Sequence, residues 1–138
     1  MTFPSRHEYE TIIYGVVEVY PEVLASTLRL YSTSALTAVV EGEIHLQNGL
    51  KLRVLEILDF KIGRIQNYSY AVYQEKEKLR WYDPQPHPEN PALVETFPHH
   101  YHEDPNIKHN RQPATGISFE SINLPTLIAD CLTIGAVE

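Results

Sequence analysis

Cysteine is nearly missing: Cys131 is the only one in 138 residues. One thiol cannot close a disulfide within the chain or build a paired Cys-x-x-Cys metal knuckle, and it fits a reducing compartment. Basic charge is also short, with eleven Lys and Arg against eighteen Asp and Glu, a net charge of −7. Binding duplex nucleic acid by bulk charge needs a basic surface to displace counterions, so that mode is excluded and any RNA contact must be local. No apolar run approaches the roughly 20 residues of a membrane span. Arg6, His7, Glu8 and Glu10 interrupt the N-terminal stretch before any signal-peptide core can form. No repeat with a period of about 20 to 50 residues is found, which removes solenoids and propellers. The expectation is one domain over residues 1–138, in the cytoplasm and off the membrane.

What is present is a 43% hydrophobic share, enough for a core, and a clustering of unusual residues. Seven of the ten prolines fall between Pro84 and Pro113, and five of the seven histidines between His87 and His109. Ser5 followed by Glu8 is a capping-box pattern, and Tyr9, Ile12, Ile13, Val16 and Tyr20 then recur at helical spacing, which predicts a helix over 5–20. From 26 to 83 the period is two, which predicts strands covered on one face. Around Gln47-Asn48-Gly49, a three-residue loop with a left-handed Gly49 pairs Ile44 with Leu52 and keeps both faces uniform; a two-residue loop would mix them. The same test favours a loop around Ile62 in the next hairpin and the three-residue loop Glu75-Lys76-Glu77 in the one after, which places Glu56, Tyr68, Tyr70, Val72, Arg80 and Tyr82 on the covered face. Asn123 with Pro125 opens a helix over 123–135. The fold expected is α+β: a five-stranded antiparallel meander, both helices on one face, and a long Pro/His-rich loop over 84–121. Its core is expected to combine Leu52, Val54, Val40, Ile44, Ile12, Val16, Leu127 and Ile128.

Glu56 breaks the pattern, a carboxylate where the alternation calls for an apolar side chain. It needs a partner or a wet cleft, and Arg80, expected two strands away on the same face, is the candidate counter-ion. A structural ion pair accounts for it as well as a catalytic acid or base does. Phe97-Pro98-His99-His100-Tyr101-His102 is the densest cluster. Near pH 7 histidines take and give protons, so two beside a phosphodiester can deprotonate a ribose 2′-hydroxyl and protonate the leaving oxygen. An arginine would stabilise the charged transition state. In extended backbone His100 and His102 point to one side and His99 to the other. A zinc site on His100 and His102, completed by His87, Glu103 or Asp104, is the chemical rival. Its spacing matches no standard zinc motif, so no specific metal and no cofactor are expected. Tyr68, Tyr70, Tyr73, Trp81 and Tyr82 could stack unpaired bases or simply build core. Arg53, Arg64 and Lys78 are too scattered along the chain to read as a phosphate track.

Asp83-Pro84-Gln85-Pro86-His87, followed by Phe97-Pro98-His99-His100-Tyr101-His102, resembles the signature of the TumE family, small toxins of bacterial toxin–antitoxin operons. The resemblance spans roughly Leu28 to His102. The family reads Arg-Tyr-Asp-Asn, Pro-His-His and Phe-Pro-His-His-Lys-His; here Pro84 replaces Asn, Pro88 a His, Trp81 the Arg and Tyr101 the Lys. The resemblance implies a cognate antitoxin partner and an RNase-like activity on RNA. With the residues above it gives a metal-independent ribonuclease with His87, His99, His100, His102, Arg80 and Glu56 as catalytic candidates and Tyr70, Tyr82 and Asp83 on the substrate, the four histidines being expected to fold back toward the sheet end where Glu56, Tyr70, Arg80 and Tyr82 converge. Two other readings use the same residues: a non-catalytic protein-binding module and a metal-dependent nuclease or hydrolase. Self-association is left open.

Overall fold

A computed structural model describes residues 2–136. The Ser5 hydroxyl accepts the Glu8 N–H at 3.1 Å and the Glu8 carboxylate accepts the Ser5 N–H at 2.9 Å, closing a capping box at the start of α1 (Arg6–Tyr14). Gly15 then breaks the helix, and the short α2 (Val16–Val19) follows, so the expected helix over 5–20 is two helices. Tyr9, Ile13 and Val16 are buried at i, i+4, i+7, whereas Ile12, expected in the core, lies off that stripe and is 39% exposed.

Eight strands follow, all antiparallel: β1 (Val23–Ser26), β2 (Arg29–Ser32), β3 (Thr37–Leu46), β4 (Leu50–Asp59), β5 (Arg64–Gln74), β6 (Glu77–Asp83), β7 (His100–Glu103) and β8 (Arg111–Pro113). Their order is β1-β3-β4-β5-β6-β7-β8, with β2 also on β3. The expected five strands are thus a correction, and so is the loop over 84–121. That stretch supplies a 3-10 turn (Pro91–Thr96) and strands β7 and β8, which extend the sheet beyond β6. Left uncovered, the β6 edge would carry unpaired N–H and C=O groups, and β7 satisfies them. A four-residue strand between Pro98 and Pro105 is too short for alternation to stand out in sequence.

The hairpins follow face consistency. Ile44 pairs with Leu52, and Gly49 takes φ +88°. At the β5–β6 turn the chain uses two residues, Glu75 and Lys76, rather than the expected three. A bulge at Leu79 then restores the pairing of Val72 with Arg80, so every later side chain keeps its face. Gly42 marks where β1 hands over to β2 along β3. A Cβ there would stand 2.5 Å from the Thr27 carbonyl oxygen, at a φ of +143°.

The three helical segments, with α3 (Leu124–Ala136), contribute Tyr9, Ile13, Val16, Leu127 and Ile128 to one buried cluster with Val40, Ile44, Leu52 and Val54 from the sheet. Cys131 is inside it, and burial pushes its thiol up to about 12, so it is no nucleophile at neutral pH. In this core lies one carboxylate. Glu56 is fully buried and accepts the Tyr9 hydroxyl at 2.6 Å on one oxygen and the Tyr70 hydroxyl on the other. Asn123, expected to cap α3 with its side chain, instead donates its amide to Tyr70 at 2.9 Å and to the Ser118 carbonyl, while accepting the Ser118 N–H.

Two outcomes follow. Gly42→Ala should lose more than ~2 kcal/mol in denaturant unfolding, because the obstacle is backbone and the φ is unfavourable for L residues. Burial raises the Glu56 carboxyl above the ordinary carboxylate range, against the lowering by its two tyrosine donors. The folded state therefore holds that proton more tightly than the unfolded chain does. The stability so gained is full below about pH 4 and is lost as pH rises from there toward the folded value. Glu56→Gln should fold and lose less stability than wild type between about pH 4 and pH 7, whereas Glu56→Ala, stranding two hydroxyls, should cost ~3 kcal/mol or more.

Candidate functional site

Strand parity decides what meets what. On β6, Arg80 and Tyr82 face the helices while Trp81 and Asp83 face the open side of the sheet. Pairing with β7 sets Glu103 beside Arg80, His102 beside Trp81, Tyr101 beside Tyr82 and His100 beside Asp83. Asp83, His100 and His102 therefore converge on the open side, and all three are buried. His100 Nε2 lies 3.1 Å from His102 Nε2 and 3.3 Å from Asp83 Oδ1, and His102 Nε2 lies 3.2 Å from Asp83 Oδ2. The Gln85 N–H donates to Asp83 Oδ1 at 2.8 Å, which holds the carboxylate in place. His100 Nδ1 is 3.2 Å from the Pro98 carbonyl oxygen, a partner that can only accept. The His102 ring stacks on Trp81 at 4.8 Å, and its Nδ1 is buried without a partner. Burial holds the His102 pKa below the ordinary histidine value, opposed by the Asp83 carboxylate. His87 stands edge-on to His100 at 5.0 Å, with Nδ1 3.3 Å from Glu89.

The other candidates are elsewhere. His99 points away from this cluster, its Nδ1 2.5 Å from the Tyr68 hydroxyl and its ring against Phe119 at 4.6 Å; burial lowers its pKa too. Arg80 is not the counter-ion of Glu56. It lies over the Tyr101 ring at 4.0 Å, donates to the Tyr82 hydroxyl at 3.3 Å and approaches Glu103 at 3.6 Å. The Tyr82 hydroxyl donates in turn to Asp130 at 2.7 Å. The expected gathering of all four histidines with Glu56, Tyr70, Arg80 and Tyr82 at one sheet end does not form, because the sheet itself separates His100 and His102 from those groups.

Beside Asp83 a cleft of about 470 Å³ lies at the margin of the sheet, walled by Trp81 from the open side and by Tyr68, Pro86 and Phe119. Cations that look scattered in sequence meet aromatic rings at two separate places along β5, around Tyr73 near its end and at Phe119 beside Arg64 where it begins. Lys51, Arg53 and Lys78 lie 5.6, 5.1 and 5.8 Å from the Tyr73 ring, Lys78 is also 5.2 Å from Trp81, and Arg64 is 4.7 Å from Phe119. Sequence reasoning missed Arg111, which pairs with His102 across β7 and β8 and whose buried Nε has no partner. No signal could have found it while its segment read as loop. The meeting of Asp83 with the histidines was half visible, since parity with Trp81 already assigns Asp83 to the open side.

Among the described residues no helix is long and apolar enough to cross a membrane. No curated protein and no solved structure matches the chain. A profile of the TumE toxin family matches residues 14–133, a longer stretch than the signature region suggested, taking in the whole sheet, α2 and most of α3, and only the last residue of α1. With the signature histidines on β7 inside that match, the chain belongs to the TumE toxin family.

Proposed function

We propose that this protein is the toxin of a toxin–antitoxin pair and cleaves RNA, at a site centred on Asp83, His100 and His102. The observation that carries the reading is the juxtaposition of this buried cluster with the aromatic-walled cleft. Single-stranded RNA is bound by stacking bases on aromatic rings beside cations that follow the backbone. Trp81, Phe119 and Tyr73 are such rings, and Lys51, Arg53, Lys78 and Arg64 lie against them. This local arrangement suits an RNA-binding chain whose net charge is −7. Arg111, next to His102, replaces Arg80 as the group that meets the scissile phosphate. An antitoxin bound over the open side would close cleft and cluster together.

In the metal-free route, His102 and His100 carry the protons and Asp83 orients them. A second reading, favoured by three acceptor groups aimed at one point, makes the same side chains cation ligands. In both, chemistry occurs on the open side.

The test is induction of the chain in a bacterial host, together with purified protein on single-stranded RNA. His102→Ala should lose ~10²-fold or more of the cleavage rate and relieve growth inhibition, at a melting temperature close to wild type. Arg111→Ala should reduce cleavage more than Arg80→Ala does; the reverse order would move the phosphate to the helix-covered side. A wild type that neither inhibits growth nor cuts RNA, yet binds its neighbouring protein tightly, would replace the ribonuclease by a binding module.

A further inference from the structure

We propose that Asp83, His100 and His102 form a binding site for one divalent transition-metal ion of the zinc type. The argument rests on where the donor atoms and the hydrogens are. His100 directs Nδ1 at the Pro98 carbonyl, 3.2 Å away, so in the neutral ring the hydrogen is there and the Nε2 lone pair faces the cluster. Such a carbonyl-bonded imidazole is the usual outer support of a metal ligand. His102 also presents Nε2, and Asp83 presents carboxylate oxygens to both rings. If the His102 hydrogen is on Nε2, one proton serves three converging acceptors. If it is on Nδ1, none does. Buried acceptors at this distance repel unless something positive lies between them.

The spacing fits an ion. Bonds of about 2.0–2.1 Å to a tetrahedral zinc put neighbouring donor atoms about 3.3 Å apart. The two Nε2 atoms are 3.1 Å apart, and Asp83 meets each ring with a different oxygen, Oδ1 at 3.3 Å from His100 and Oδ2 at 3.2 Å from His102. Two imidazoles and a carboxylate leave a fourth position for water or substrate, the pattern of a catalytic rather than a structural site. Asp83 also lines the neighbouring cleft, and the His87 ring stands edge-on to His100 at 5.0 Å. A standard spacing motif is not needed, because antiparallel pairing of β6 and β7 brings Asp83 to His100. The rival is a protonated His100 neutralised by Asp83, with no ion.

The inference stands on ligand geometry and holds whether or not RNA is the substrate. Untagged full-length protein is stripped with EDTA, dialysed, and titrated separately with Zn²⁺ and Co²⁺. Saturation at one ion per chain is expected, with a dissociation constant at or below about a micromolar. Co²⁺ should give the visible absorption of a four- or five-coordinate site, and Zn²⁺ should raise the melting temperature by several degrees. Asp83→Asn, His100→Asn and His102→Asn should each weaken binding by about a hundredfold or more, beyond the ~10–100-fold of outer-support changes. The surface substitution His109→Asn should leave binding unchanged. If a ligand variant fails to fold, the wild-type Co²⁺ spectrum and stoichiometry still decide. Absence of saturable binding by wild type, or binding that survives loss of both His100 and His102, overturns the site. RNA cleavage is read separately: a bound ion without cleavage sinks the ribonuclease and keeps the site, while cleavage by a chain that shows no saturable binding keeps the ribonuclease and sinks the site.

Discussion

The buried Glu56 carboxylate is the constraint around which the rest is arranged. It lies on β4 at the centre of the sheet, and its two oxygens take hydroxyls from α1 (Tyr9) and β5 (Tyr70). Asn123, at the start of α3, reaches the same Tyr70 hydroxyl. One carboxylate therefore joins α1 directly and the start of α3 through Tyr70 and Asn123 to two central strands. A buried carboxylate without these donors would be costly. Any arrangement that shifts a helix or slips β4 by one residue loses them all at once. The knot adds uniqueness to a core whose aliphatic members would tolerate several packings.

That fixed face has consequences on the other side. Tyr70 stacks on Tyr68 at 4.8 Å, and Tyr68 bonds His99. His99 is thereby held on the covered side, and its neighbour His100 must point to the open side by backbone alternation. The anchoring of one histidine thus sets the facing of the next. Asp83, paired with His100, and His102, paired with Trp81, complete the cluster from the same parity. Placing such a cluster on paired strands rather than on a loop restricts its geometry before any ligand arrives.

The central sheet was legible because its alternation is long and each hairpin has one register that keeps faces uniform. Ile44 opposite Leu52 and the sharing of a face by Glu56, Tyr70 and Tyr82 followed from that rule alone. The rule even survived the wrong turn length at Glu75, since the bulge at Leu79 absorbs the difference. What could not be read were interactions without periodicity. Tyr9 as a partner of Glu56 requires knowing how α1 docks. Strands β7 and β8 have four and three residues, and proline and histidine density masks them as loop. Arg111 was lost with them, and Arg80 was overvalued because the nearest cation in sequence is not the nearest in space. The histidine motif was visible, but the partition of its members between two faces becomes consequential only once β7 is known to be paired.

Burial explains why a chain this acidic can keep such a cluster on an open sheet. Asp83, His100 and His102 are shielded by Trp81, His87 and the segment around Pro98, so solvent does not dilute their mutual interaction as it would for surface charges. The acidic excess, by contrast, includes well-solvated side chains such as Glu8, Glu18, Glu75 and Glu77, whose fields are screened within about 8–10 Å at physiological salt. Local geometry therefore outweighs net charge at the cleft. The cations around Tyr73, Trp81 and Phe119 act at contact distance, where the −7 of the whole chain has little influence. A ligand that is both anionic and aromatic can find complementary partners there despite the unfavourable total.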